Sequence, residues 1–189
     1  MRLLMMVTAV CLGTLACAPH SAAAMGMLLT SQTARSSAPA TAPELAERLR
    51  SSDPAVVIAA LDDVVVNSVI PEMLVPEVDR LLRQHPSAAV RSAAIEVVSD
   101  ADNREPLLPA LSACLVHANA DVRSEAMDVI ADTESKVAID ILIAHRASRF
   151  ADVREEAQDN LELITDKEFT TQAQWQAWWK NARPGFSFD

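Results

Sequence analysis

Apolar residues return at every fourth position in four separate stretches of the chain: Val56, Ala60 and Val64; Val90, Ala94 and Val98; Val122, Ala126 and Ile130; Val153, Ala157 and Leu161. At 3.6 residues per turn, positions i, i+4 and i+8 lie along one helix face, so each stretch predicts a helix with one buried stripe. The copies follow one another at steps of 34, 32 and 31 residues. Each is preceded by a second amphipathic stretch: PELAERLR, PEMLVPEVDRLLRQ, NREPLLPALSACLV and ESKVAIDILIAHR. Pro43, Pro71 and Pro106 stand near the starts of these stretches, where a missing N–H costs nothing. The joints DP, HP, NAD and FAD carry the residues with which helices begin. The unit is therefore helix, tight turn, helix. One short pair cannot shield its apolar face from water, whereas stacked pairs shield each other. The predicted class is all-α, an α-solenoid of about four hairpins over residues 43–183, with 184–189 as a tail.

Three of the copies carry a family signature. Asp121-Val122-Arg123 with Ala126, and Asp152-Val153-Arg154 with Ala157, resemble the D-x-V-R-x-x-A core of HEAT repeats, in particular the short bacterial kind named after phycobilisome lyases. The second copy keeps Val90-Arg91 and Ala94 but has Ala89 for the Asp. The first keeps Asp53-Pro54 but has Val57 in place of the Arg, as a divergent terminal repeat would. The resemblance implies a right-handed solenoid. It also implies that Arg91, Arg123 and Arg154 are structural, pairing with Asp residues at the same turns, such as Asp121 and Asp152, to bridge neighbouring repeats. The competing reading is a basic ladder for a ligand.

The amino terminus lies outside this pattern. MRLLMMVTAVCLGTLACAPH has one basic residue, Arg2, and then uncharged, mostly apolar residues from Leu3 to Ala18. That is the layout of a secretory signal and is short for a membrane-spanning helix. Gly13-Thr14-Leu15-Ala16-Cys17 resembles a bacterial lipobox, with Thr14 as a departure. Residues 1–17 are thus expected to be a signal peptide, with Cys17 lipidated as the new first residue, anchoring the chain to a membrane. With Ala18 following, the resemblance implies sorting to the periplasmic side of the outer membrane. The alternative is cleavage after Ala22-Ala23-Ala24, giving a soluble periplasmic or secreted chain. Residues 18–42 are rich in Ser, Ala, Thr and Pro, as in SSAPATAP, and read as a flexible tether.

Charge narrows the function. The net charge is −10, and loss of residues 1–17 removes Arg2 and no acidic residue. Such a chain is a poor match for a phosphate backbone, so nucleic acid is not an expected partner. Of three cysteines, Cys11 and Cys17 belong to the export segment, leaving Cys114 without an internal disulfide partner and at an apolar helical position.

Candidate chemistry is sparse. His85 and His117 each stand six residues before a repeat Arg, where an imidazole can cap helix carbonyls. The di-iron HEAT enzymes use His-Glu dipeptides, but here the four pairs are His20-Ser, His85-Pro, His117-Ala and His145-Arg, so no metal or other cofactor is expected. No glycine-rich phosphate loop or nucleophile motif is present, and no catalytic residue is assigned. The acidic runs, Asp62-Asp63, Asp152 with Glu155-Glu156, and Asp159 with Glu162, read as solvated faces. Trp175, Trp178 and Trp179, at i, i+3 and i+4, share one face of a final helix. They are expected to cap the stack over Phe169 and Ile164, the alternative being an aromatic contact patch. The function expected is a protein-binding scaffold or assembly factor for another envelope protein, with a lyase-type or other catalytic HEAT protein as the alternative.

Overall fold

The computed structural model describes residues 40–188. Among these residues lie nine α-helices: α1 (Ala42–Leu49), α2 (Pro54–Leu61), α3 (Val75–Gln84), α4 (Ala88–Ser99), α5 (Leu108–Cys114), α6 (Ala120–Ala131), α7 (Lys136–His145), α8 (Ala151–Thr165) and α9 (Gln172–Ala182). Short 3₁₀ turns, Glu72–Leu74 and Glu105–Leu107, lead into α3 and α5. The Pro71-containing and Pro106-containing stretches are therefore split. A 3₁₀ turn comes first, and a second proline, Pro76 or Pro109, opens the α-helix proper.

The helix starts are set by polar side chains. Asp53 accepts the N–H of Ala55, Asn119 those of Asp121 and Val122, and Ser135 that of Val137. Thr41 with Glu44 and Thr171 with Gln174 form capping boxes.

Helices pair as α1 with α2, α3 with α4, α5 with α6 and α7 with α8. The second helices, α2, α4, α6 and α8, pack in series as one layer. The first helices, α3, α5 and α7, form the other, which α9 extends. This is an α-solenoid of helical hairpins. Its core is the line predicted from the sequence: Val90, Ala94, Val98, Val122, Ala126, Ile130, Val153, Ala157 and Leu161 are fully buried. An alanine at the middle of each stripe leaves room for the neighbouring helix.

The first repeat departs from this register. Val56 is 37 % exposed, and Val57 is buried with Ala60, Leu61 and Val64. Val57 occupies the place of the repeat arginine, and an apolar side chain there is drawn into the core, so the buried stripe shifts towards i, i+3, i+4 and i+7. The longer first step of 34 residues has its own cause. Residues 62–71 form a loop closed by a Val66–Val69 bridge, with Asn67 and Ser68 at φ 51° and 61°. Two successive left-handed residues are the backbone of a type I′ hairpin turn. Asn103 clamps this loop, accepting from Ile70 N–H and donating to Ile70 O, each at 3.0 Å.

Packing extends beyond the 43–183 span at both ends. Ala40 and Ala42 lie against the core, as do Phe186 and Phe188. Residues 1–17, including Cys17, and most of the 18–42 tether lie outside the described residues. No helix among the described residues is long and apolar enough to cross a membrane.

Candidate functional site

Four turns join the first and second helix of each hairpin, and all four are built alike. The residue two before the N-cap accepts the N-cap backbone N–H through its side chain: Ser51 from Asp53 at 3.1 Å, His85 from Ser87 at 3.2 Å, His117 from Asn119 at 3.2 Å and Ser148 from Phe150 at 3.3 Å. His85 and His117 were expected to donate to helix carbonyls. They accept through Nδ1 instead, which puts the proton of the neutral ring on Nε2. Burial, foremost, and the positive charge of Arg91 hold both below the usual imidazole range.

The repeat arginine completes the turn, six residues on. Arg91 donates to His85 O at 2.7 Å, Arg123 to His117 O at 2.8 Å and Arg154 to Ser148 O at 2.8 Å. In the first repeat Val57 cannot do this. Arg80 of α3 instead reaches back to Leu49 O at 2.8 Å, at the end of α1. Each guanidinium thus satisfies carbonyls that the end of a first helix leaves open.

The expected bridge between a repeat arginine and the motif Asp of the next repeat is formed at one step. Arg123, 7 % exposed, donates from Nε to Asp152 at 2.9 Å and stacks over the Phe150 ring at 4.0 Å. Burial pushes the Asp152 carboxyl up, but the Arg123 hydrogen bonds and the Val153 N–H outweigh it and hold it below the usual range. The expected Arg91–Asp121 pair is absent from the ion pairs among the described residues. Arg91 turns to Arg83 O and His85 O and lies near Cys114 and His117, so Asp121 stays exposed. Arg154 has no following hairpin to supply an Asp. Between the first and second repeats, Glu77 replaces the motif Asp, taking hydrogen bonds from Arg50 and Arg80.

Cys114 is a core thiol, fully buried, donating to Leu82 O at 3.3 Å, with burial pushing its pKa up to about 11. His145 accepts or donates at Nε2 with Ser112 Oγ, 2.9 Å away.

The three tryptophans lie at the end of the first-helix layer. Trp175 is fully buried and donates to Gln158 at 3.1 Å; Trp179 donates to Asp140 at 2.6 Å, which also takes the Arg183 guanidinium. Phe169 meets Trp175 edge to face at 4.9 Å, and Trp178 and Phe186 continue the aromatic packing. Each indole N–H of the two buried rings has a partner, as burial of tryptophan demands. This geometry is a lid, with Trp178 half exposed at its margin.

A further surface lies on the second-helix layer. An open groove of about 600 Å³ runs over α4 and α6. Ala89, Ser92, Ala93, Ile95 and Val129 make its floor, and Glu96, Asp100, Glu125 and Asp128 line it with carboxylates. Glu125 Oε2 is buried without a hydrogen-bond partner among the described residues. On the adjoining face of α8, burial, then the negative charges of Asp128 and Asp152, push the Glu156 carboxyl up. Among the described residues, no His, Cys or Lys lines the groove. The sequence reading missed this floor, although Ala89, Ser92 and Ala93 at i, i+3 and i+4 are a small-residue stripe facing away from the buried one.

Residues 76–162 match the family model for HEAT repeats. Over that span the hairpins are similar to HEAT repeats. The matched span runs from the start of α3 into α8, covering the three hairpins that carry the repeat arginine and leaving out the Val57-containing first hairpin and the tryptophan cap. Among curated proteins, none matches the chain. HEAT repeats of this kind suggest a protein-interaction scaffold, since stacking produces an extended surface rather than an enclosed pocket.

Proposed function

We propose that the chain is an exported scaffold or assembly factor of the bacterial cell envelope, held to a membrane by a lipid on Cys17 and binding a basic segment of another envelope protein along the α4–α6 groove. The observation that supports it most is the groove itself: small and apolar side chains beside four carboxylates, on the second-helix layer. A helix or extended segment with apolar contacts and flanking Lys or Arg has the complementary chemistry. The acidic walls would speed encounter and reject acidic competitors. Export and anchoring rest on residues 1–17, whose single basic residue, apolar run and lipobox-like ending suit a lipoprotein signal. The catalytic alternative has less behind it, because the groove-lining set lacks a nucleophile paired with a base.

A photo-crosslinking residue at Ser92, in the full chain in living cells, tests the binding claim. An adduct with one envelope protein is expected, and it should be lost when Glu96 and Asp128 are both changed to Lys. Adducts that persist in that variant would remove the groove as the binding surface. Anchoring is read separately by labelled fatty acid, which the parent should incorporate and Cys17→Ala should not.

A further inference from the structure

We propose that a second groove, between the carboxyl-terminal ends of α6 and α8 and the tail, binds an organic cation: an ammonium group carried on an aliphatic stem. Its volume is about 420 Å³, within the range of small-ligand sites. Three stretches of chain build it: the α6–α7 turn with Asp132 and Glu134, the end of α8 from Leu163 to Asp166, and the tail from Phe186 to Phe188.

Three features of different origin favour positive charge there. The first is the backbone. α6 ends at Ala131 with Asp132 as its C-cap, and α8 at Thr165 with Asp166 as its C-cap, so the negative ends of two helix dipoles meet the groove. Neither last turn carries a basic residue to offset that end. The amino terminus of α7, at the same turn as Asp132, is capped by Ser135. The second feature is side-chain charge. Asp132, Glu134 and Asp166 are exposed and belong to no ion pair among the described residues. Cations at these turns are bonded to backbone carbonyls instead: Arg104 to Ser99 O and Asp132 O, Lys136 to Pro184 O and Lys167 to Asp166 O. The third feature is aromatic. Phe186 and Phe188 meet at 83° with ring centroids 5.2 Å apart, forming the two walls of a corner, and both are only partly buried. The π faces of such walls attract an ammonium group. Phe186 packs against Trp179 at 5.3 Å and Trp178 at 6.2 Å, so the tryptophan lid holds the corner in place.

The kind of cation follows from the lining. Among the described residues no group of His, Cys, Asp and Glu is arranged to hold a metal ion. A bare ion would also gain nothing from Leu163, which is 82 % exposed, or from Ile164. An alkyl stem covers both, while the ammonium, which has three donors and no acceptor, takes the carboxylates. The α4–α6 groove sets carboxylates beside small side chains with no aromatic ring among its described lining residues, so the two surfaces differ in what they recognise. A free alkylamine and a lysine side chain share the chemistry that this second groove fits.

Titration of the full chain at constant ionic strength, followed by the backbone amide NMR shifts of Thr165, Asp166 and Ser187, tests this. The probes are n-pentylammonium for the free amine, Nα-acetyl-lysine amide for the peptide-borne one, and pentanol as the neutral match. At least one ammonium probe is expected to bind saturably, and the tighter of the two identifies the source; pentanol and sodium should give no saturable shift. Glu134→Gln combined with Asp166→Asn should weaken binding about tenfold. Phe188→Leu, which keeps apolar bulk but removes the ring, should weaken it about threefold. Glu134 is exposed, and asparagine tolerates the left-handed backbone of residue 166, at φ 52°, so the double variant keeps the fold. Glu96→Gln, in the α4–α6 groove, should leave the affinity unchanged. Shifts that stay linear for both ammonium probes, pentanol binding as tightly as the amine, or full affinity in the carboxylate or the Phe188 variant would overturn the proposal.

Discussion

Arg123→Ala isolates what the repeat arginine contributes. The wild-type guanidinium donates to His117 O at 2.8 Å, to Ala118 O at 3.0 Å and to Asp152 at 2.9 Å, and it covers Phe150. Breaking a fully buried ion pair costs about 3–5 kcal/mol, but the Asp152 side chain is 37 % exposed and rehydrates. Its share accordingly falls to about 0–1 kcal/mol. Two carbonyls left without donors add about 1 kcal/mol each, and the lost cation–π contact about 0.5–1 kcal/mol. The expected destabilisation is about 2–4 kcal/mol. Arg91→Ala supplies the internal comparison: it loses two carbonyl bonds, no carboxylate and no ring contact, so about 1–2 kcal/mol is expected. Urea denaturation with an unchanged m-value reads both. Asp152 is held low in the folded state, so its contribution is complete above its unfolded value, near 3.8, and is lost as pH falls through the lower folded one. The Arg123–Asp152 coupling in a double-mutant cycle should therefore survive at pH 5 and fade only below pH 4. Equal costs for the two arginine variants, or a coupling already gone at pH 5, would refute the reasoning.

Three further outcomes follow from the turns, the lid and the acidic layer. His85→Ser and His117→Ser should be nearly neutral, since serine fills the same place in the other two turns, whereas the alanine variants should each cost about 1 kcal/mol by thermal or urea unfolding. Both imidazoles are depressed in the folded state, so their contribution is present above the ordinary value of 6.5 and is lost as pH falls through the folded values. The serine double variant should flatten that acid-side decline. Trp175→Ala, which empties a fully buried indole site, should cost about 3–5 kcal/mol, while the same change at half-exposed Trp178 should cost much less in the same urea assay. Glu156→Gln should raise the melting temperature at pH 7: its raised carboxyl favours folding only while protonated, so the gain should shrink as pH drops through its folded value.

The hairpin stack was legible because its cause is local and repeated. Val90, Ala94 and Val98 are apolar at helical spacing in the sequence and fully buried in the fold. The exceptions arose where a residue changed role. Val57 fills an arginine's place and carries the buried stripe with it, and Asn67-Ser68 form a turn that no apolar pattern announces. The Arg123–Asp152 bridge followed from the motif, whereas the Arg91–Asp121 pair did not form, because competition from the carbonyls of residues 83 and 85 depends on backbone geometry that spacing does not encode. The histidines were placed at the right turns with the wrong hydrogen-bond polarity, since sequence position does not show which ring nitrogen holds the proton. The groove was invisible for a related reason. It depends on two second helices lying side by side, so that Ala93 of one and Glu125 of the next line a single surface.

The central claim is that each hairpin is shielded by its neighbours, and native-state hydrogen exchange of the full chain reads this most directly. Amides of α4 and α6, with hairpins on both sides, should exchange slowest, with protection falling towards α1 at one end and α9 at the other. Uniform protection from α1 to α9, or slower exchange in the terminal helices than in α4 and α6, would contradict it.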